Sequence, residues 1–184
     1  MDIAGRPAYH EAMSTLDASS AEILVFTFKE GFLSAIAHDL KIRVGKLAVD
    51  VDGTTSVRAR IDAASLRVVT AMHEGAPREG ALSEGDKEKI QGNIVDDVLA
   101  AKKHPEIVFA STKITPSGEG YQIAGDLTLH GHTKPIAFEA KPEGGRLVAE
   151  ITLHQPDFGI KPYSAMLGTL KIKPDLVVRC SLPR

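Results

Sequence analysis

His130 and His132 bracket a single glycine in the segment HGHTKP. Imidazoles two residues apart share one face of an extended strand. With His38 as a third ligand they would suit zinc, which takes three or four nitrogen or carboxylate donors. One reading is therefore a metal-dependent hydrolase built on His38, His130 and His132. The other is structural. Gly and Pro in the same segment mark a tight connection at the rim of a sheet, where imidazole and threonine groups bond exposed backbone. His-x-His alone is a weak metal signal.

The remaining chemical candidates are incomplete. His38-Asp39 resembles a catalytic pair, but the chain has no Gly-x-Ser-x-Gly to supply a nucleophile. His73-Glu74 lacks the second histidine of His-Glu-x-x-His, and no glycine-rich phosphate loop is present. Cys180 is the only cysteine, which excludes an intrachain disulfide and a multi-cysteine metal site. It lies in a strand-like run with no activating neighbour. Asp157-Phe158-Gly159 matches a kinase tripeptide, yet no other kinase element accompanies it. With no complete constellation, the expectation is a binding protein with no catalytic cofactor.

The elements that must carry these groups are alternating strands. In AEILVFTFK, Ile23, Val25 and Thr27 oppose Leu24, Phe26 and Phe28, so both faces read as covered. Leu40, Ile42 and Val44 alternate with charged residues, and after Gly45 the phase flips to Leu47, Val49 and Val51. A phase change at glycine is the mark of a bulge or sharp bend, which lets a sheet curl. Val57, Ala59 and Ile61 form the next inward set. Between Ser83 and Pro105 the period changes. Ile90, Ile94, Val98 and Ala101 fall at helical spacing, Ser83 and Asp86 read as a capping box, and Pro105 disfavours continuation. Strands then resume to the end, with turn signals recurring at roughly 8–12-residue intervals, the rhythm of a sandwich or barrel. Residues 1–15 read as a mobile N-terminal arm, and 16–184 as one domain.

Composition bounds the function. Of the 184 residues 43% are hydrophobic and 25% charged, and the formal charge of −2 offers no basic surplus for a nucleic-acid partner. No segment approaches the roughly 20 apolar residues of an integral membrane span. The N-terminus has no basic start followed by an apolar run, so a cytoplasmic location is expected. Aromatics are only 5% with no Trp, so the interior must be lined by modest aliphatic side chains.

HPEIVFAST joined to YQIAGDLTLHGHTKPIAFEA, with the later DFGIKPYSAMLGTLKIKPDLVV, resembles the signature of the YceI-like family. LDASSAEILVFTFKEG and AHDLKIRVGKL fit its first two strands more loosely. One departure is the long acidic link AMHEGAPREGALSEGD, where relatives often have a compact basic turn. The resemblance implies a mainly β fold: a lipocalin-like antiparallel β-barrel of about eight strands with one amphipathic α-helix. It also implies an apolar interior that holds a polyisoprenoid, isoprenoid quinone or related lipid. Phe26, Phe28, Ile42, Phe109, Leu127, Leu129, Phe138 and Ile151 are then the expected lining. Phe158, Tyr163, Met166 and Leu167 make an apolar loop that reads either as a plug or as an entrance, with the Tyr163 hydroxyl available to a ligand head group. An exposed edge or apolar rim would be the place for two copies to pair as a homodimer.

Overall fold

The computed structural model describes residues 13–30 and 38–184. Most of the expected arm, and residues 31–37 of the link before His38, lie outside the described residues. The last positions of that arm are not free. Ser14–Asp17 form β1 and pair antiparallel with the stretch from Ala48 to Val51. Sequence periodicity over four residues was too short to show it.

Twelve further strands follow. The first half of the chain supplies β2 (Glu22–Lys29), β3 (Asp39–Val44), β4 (Leu47–Asp52), β5 (Ser56–Asp62), β6 (Leu66–His73) and β7 (Ala76–Arg78). The second half supplies β8 (Glu106–Ser117), β9 (Gly120–Leu129), β10 (His132–Glu143), β11 (Arg146–His154), β12 (Ser164–Ala165) and β13 (Leu170–Pro183). They form one antiparallel sheet of thirteen strands in the order β1-β4-β5-β8-β9-β10-β11-β13-β2-β3-β6-β7, with β12 paired to β13.

The expected number of about eight strands is corrected by this count, and the register shows why. β3 and β4 pair in sequence with β6 and β5, so they are the two halves of one long bent hairpin. β1 and β2 run beside the same two halves. Bending splits three long strands into six segments, and β7 and β12 are short additions. The sheet closes because β5 pairs with β8 at one end of the path while β3 pairs with β2 at the other.

The bend falls at Gly45, where the phase change predicted it. The Gly45 N–H bonds the Ser65 carbonyl at 2.9 Å and the Asp62 N–H bonds the Lys46 carbonyl at 3.1 Å, so the ladder continues around the corner. The Ser65 hydroxyl ties the two strands together. It accepts from the Lys46 N–H at 2.9 Å and donates to the Asp62 carbonyl at 2.7 Å. Leu40, Ile42 and Val44 before the corner, and Leu47 and Val49 after it, are all buried on the same inner face. The flip in sequence phase is what keeps them there.

Between β7 and β8 the chain crosses one end of the barrel as α1 (Glu84–Gly92), which packs against β6. The capping box is present: the Asp86 N–H donates to the Ser83 hydroxyl at 3.1 Å, and the Asp86 carboxylate accepts from the Ser83 N–H at 3.0 Å. Beyond Gly92 the helix widens into one π-helical turn, Asn93–Val98, closed by the Leu99 N–H on the Ile94 carbonyl at 2.9 Å. No helix among the described residues is long and apolar enough to cross a membrane.

Ser65→Ala strips the corner of its clamp and leaves the part-buried Lys46 N–H without its partner. Lost hydrogen bonds and an orphaned donor of this kind destabilise by about 1–3 kcal/mol. A urea titration should show the midpoint falling with no change in slope.

Candidate functional site

The inner face of the closed sheet surrounds a cavity of about 1140 Å³. Antiparallel partners directly opposite each other project to the same face, so the registers fix which residues reach it. Val25 pairs with Ile42 on one side and Val178 on the other, and all three line the cavity. Ile123, Leu127 and Leu129 line it from β9, with Gly125 holding the phase between them. That glycine leaves room for a neighbour: a Cβ there would lie 2.6 Å from carbons of the Phe109 ring. Phe109 packs on into the cavity, tilted against Phe138 with ring centroids 5.5 Å apart.

Of the expected lining, Ile42, Phe109, Leu127, Leu129, Phe138, Ile151, Tyr163 and Met166 are in place. Four residues are not. Phe26 and Phe28 belong to the opposite face of β2, and Ile23, Val25 and Thr27 line the cavity instead. Both faces of β2 are apolar enough to be inward, and only pairing with β3 and β13 decides between them. Phe158 is buried in the single-turn helix Gln155–Phe158 and belongs to the core, but it does not line the cavity. Leu167 is fully exposed beside Met166, each with φ near +55° (53° and 56°).

Several lining residues were not anticipated. Leu170, Ile172, Leu176, Val178, Cys180 and Leu182 line the cavity from β13, and their period-two spacing was a readable signal. The Cys180 thiol is held neutral, its pKa pushed up to about 11 by burial, so it serves as a small apolar wall group. Asn93, Ile94, Val98 and Leu99 arrive from the π-helical turn, which brings all four to the cavity. Nothing in the sequence announces that turn.

Polar groups gather where α1 crosses the barrel. His38, Asp86, Lys89, Asn93, Tyr163 and Thr27 all line this end. The Asn93 side-chain amide donates to the Tyr163 hydroxyl at 3.0 Å. The hydrogen bonds from Ser83 hold the Asp86 carboxyl below its usual range, with Lys89 and His38 adding to the effect. The Thr27 hydroxyl is shut off from solvent and has no hydrogen-bond partner among the described residues.

The two turn histidines do something else. His130 and Gly131, with φ of 52° and 76°, are the two-residue connection between Leu129 and His132. Positive φ at both positions matches the twist of a tight hairpin. The His130 ring lies 4.5 Å from that of His104, and the His132 ring stacks at 6.3 Å on the other side. His38 lines the cavity and these rings do not. The hydrolase set His38, His130 and His132 is therefore not assembled, and among the described residues no group of three or more His, Cys, Asp or Glu is placed to hold a metal. Sequence spacing put two imidazoles near one turn, but the third neighbour, His104, came from the turn just before β8.

Residues 15–182 match the family model for a YceI-like domain. The chain belongs to the YceI-like family. A UPF0312 protein of Pseudomonas putida is 42% identical over 87 residues, 41% of this chain and 45% of that protein. Protein YceI of Escherichia coli is 37% identical over 92 residues, 45% of this chain and 47% of that protein. The chain thus matches less than half the length of these curated relatives. Among solved structures, BcnA of Burkholderia cenocepacia superposes with a TM-score of 0.60 at 17% identity, covering 88% of this chain and 94% of that one. A polyisoprenoid binding domain from Saccharophagus degradans gives 0.58 at 12% identity, covering 93% and 96%. These two likenesses establish the fold, a mainly β, lipocalin-like sheet.

The histidine stack carries a pH signature. Desolvation lowers the His104 pKa from its ordinary 6.5, and nearby His130, Lys103 and His132 lower it further. The unfolded chain takes up a proton near pH 6.5 that the folded chain resists until lower pH. Stability from this site is therefore full above that pH and drains as acid is added through it. Denaturant midpoints at pH 7.5 and 5.5 should differ, and His104→Gln should narrow the gap.

Proposed function

We propose that the chain binds a long apolar lipid, a polyisoprenoid or isoprenoid quinone, inside its barrel and stores, carries or shields it without turnover. The observation that carries this reading is the cavity itself: about 1140 Å³ inside a closed sheet, walled by Ile, Leu, Val and Ala with two phenylalanines. Small-molecule pockets commonly span roughly 300–1,000 Å³, so this one is large for a chain of 184 residues. It runs the length of the barrel, from Asn93 and Tyr163 under α1 to Tyr121 and Arg184 at the far end. An elongated apolar guest suits that shape better than a compact one. The description of the Saccharophagus relative as a polyisoprenoid binding domain points the same way.

The energetics favour such a guest. Burying a methylene contributes about 0.8 kcal/mol, so each five-carbon isoprene unit adds roughly a few kcal/mol before ordering losses. A wall without atoms against it forfeits dispersion contacts, which a bound chain restores. Such binding needs length and dryness, with no reacting group.

Organic extraction of protein purified from its native host, followed by mass spectrometry, should release a lipid with repeating isoprene mass. Ala149→Phe gives a sharper contrast, because Ala149 is buried and lines the cavity. In a filled core the larger ring would destabilise by about 1–3 kcal/mol. Here it should enter the hollow, keep or raise the melting temperature, and displace the co-purified lipid. A clear loss of stability with lipid retained would count against a hollow barrel.

A further inference from the structure

The short hairpin between β12 and β13 is part cavity wall and part surface. Ser164 and Ala165 pair with Lys171 and Leu170, and the Ile172 N–H bonds the Tyr163 carbonyl at 3.0 Å. Ala165, Leu170 and Ile172 line the cavity. The tip between the two strands carries Met166 and Leu167. Met166 lines the cavity and yet is 59% exposed, while Leu167 is exposed completely. At Met166, then, the cavity wall runs out to the surface.

Nothing in the stability of the barrel accounts for that tip. Single apolar side chains are common on protein surfaces, but Met166 and Leu167 both hold φ values, 53° and 56°, that L-residues resist. Glycine would be relaxed at either position, as it is next door at Gly168. The turn is held closed by Thr169, whose N–H and hydroxyl both donate to the Met166 carbonyl, at 3.2 and 2.8 Å. A stiff turn thus presents a leucine to water at the cost of backbone strain. Strain of this kind points to a contact made outside the fold.

Charge indicates what that contact is. From Phe158 to Pro174 the chain carries Lys161, Lys171 and Lys173 and no acidic residue. All three lysines are exposed, and none has an ion-pair partner among the described residues. Lys171 lies against the tip: a Cβ on Gly168 would sit 3.3 Å from its Cε. Acids stand around the hairpin and not on it, with Glu30 and Asp157 on adjoining segments and Asp96 and Asp97 on the π-helical turn. An apolar tip flanked by lysines fits a bilayer with anionic head groups. The tip enters the acyl boundary, and the lysine stems follow it while their ammonium groups stay among the phosphates. A protein partner would need a broader surface than two apolar side chains supply.

We infer that the Met166–Thr169 tip docks the barrel on an anionic lipid membrane, with Leu167 inserted and Lys171 on the head groups, so that the cavity meets lipid at Met166. The inference rests on the lipid-binding reading for the purpose of this contact: a water-insoluble guest passes between bilayer and barrel without crossing bulk solvent. The contact itself is measured without any guest.

The chain has no tryptophan, so Leu167→Trp places a single reporter at the tip. Its emission should shift to the blue when vesicles of equal parts phosphatidylcholine and phosphatidylglycerol are added. Val69→Trp is the control, because Val69 is exposed on β6, with β2 and β3 between it and β13; its emission should not move. In co-sedimentation, Leu167→Gly should weaken binding to these vesicles about tenfold. It should also keep or raise the melting temperature, because glycine relaxes the backbone at that position. Lys171→Gln should weaken binding about fivefold on the mixed vesicles and leave the weaker binding to phosphatidylcholine alone unchanged. The docking surface is overturned if the Leu167→Trp emission stays put, if Val69→Trp shifts as far, or if Leu167→Gly sediments like wild type. A chain that yields isoprenoid lipid on extraction yet ignores vesicles loses this inference and keeps the lipid-binding reading. One that docks through Leu167 but yields no lipid keeps the docking surface and loses the lipid-binding reading.

Discussion

At the corner where Gly45 approaches Ser65, two long strands turn together, held across the bend by two backbone hydrogen bonds while the single helical turn Ala63–Ser65 takes up the outer path. The rest of the molecule follows from that turn. Because β3–β4 and β5–β6 bend as a pair, one half of the hairpin meets β2 while the other meets β8. A flat hairpin would leave two open edges. The bent one joins the ends of the path and fixes the circumference of the barrel before any side chain is considered. A buried serine makes the corner stiff: its hydroxyl bridges Lys46 and Asp62 across the bend.

Once the circumference is set by backbone hydrogen bonds, the interior volume is no longer negotiable. A core built from helices can slide inward when its side chains are small, but a closed ladder cannot shrink without breaking rungs. Ala59, Ala140, Ala149 and Val178 face a space that their own volumes do not fill. Interiors are normally packed to crystal-like density, so the hollow reflects a conflict in which the ladder wins. Phe109 and Phe138 narrow it locally, their rings meeting over the flat surface left by Gly125. The result is a lined passage, closed on its long sides and chemically distinct at its ends.

Much of this was legible in the residues. The phase flip at Gly45, the capping box at Ser83 and Asp86, and the inward sets of β3, β4 and β5 all follow from period-two or helical spacing, and the structure has them. The pairing of β13 with β2 shifts register between Ile172 and Leu176, on either side of Pro174. What could not be read depends on neighbours distant in sequence. β2 is apolar on both faces, so Phe26 and Phe28 looked as suitable as Val25 until pairing settled the matter. The count of about eight strands came from the resemblance, and bending divides three of the long strands into two segments each. Asn93 was invisible for a different reason: a π-helical turn shifts residues off the 3.6 period that a reader uses to assign a face.

The helical cover and the strand wall also differ in how firmly they are held. No residue of α1 is fully buried, whereas every strand of the wall is tied to two neighbours through a continuous ladder apart from the short edge pieces. Local opening follows the density of buried contacts and protected hydrogen bonds. Parting the wall means breaking many rungs at once, while lifting α1 sacrifices half-buried contacts from Ile90 and Ile94 and the single bond between Asn93 and Tyr163. The polar end of the cavity therefore lies under its least costly door.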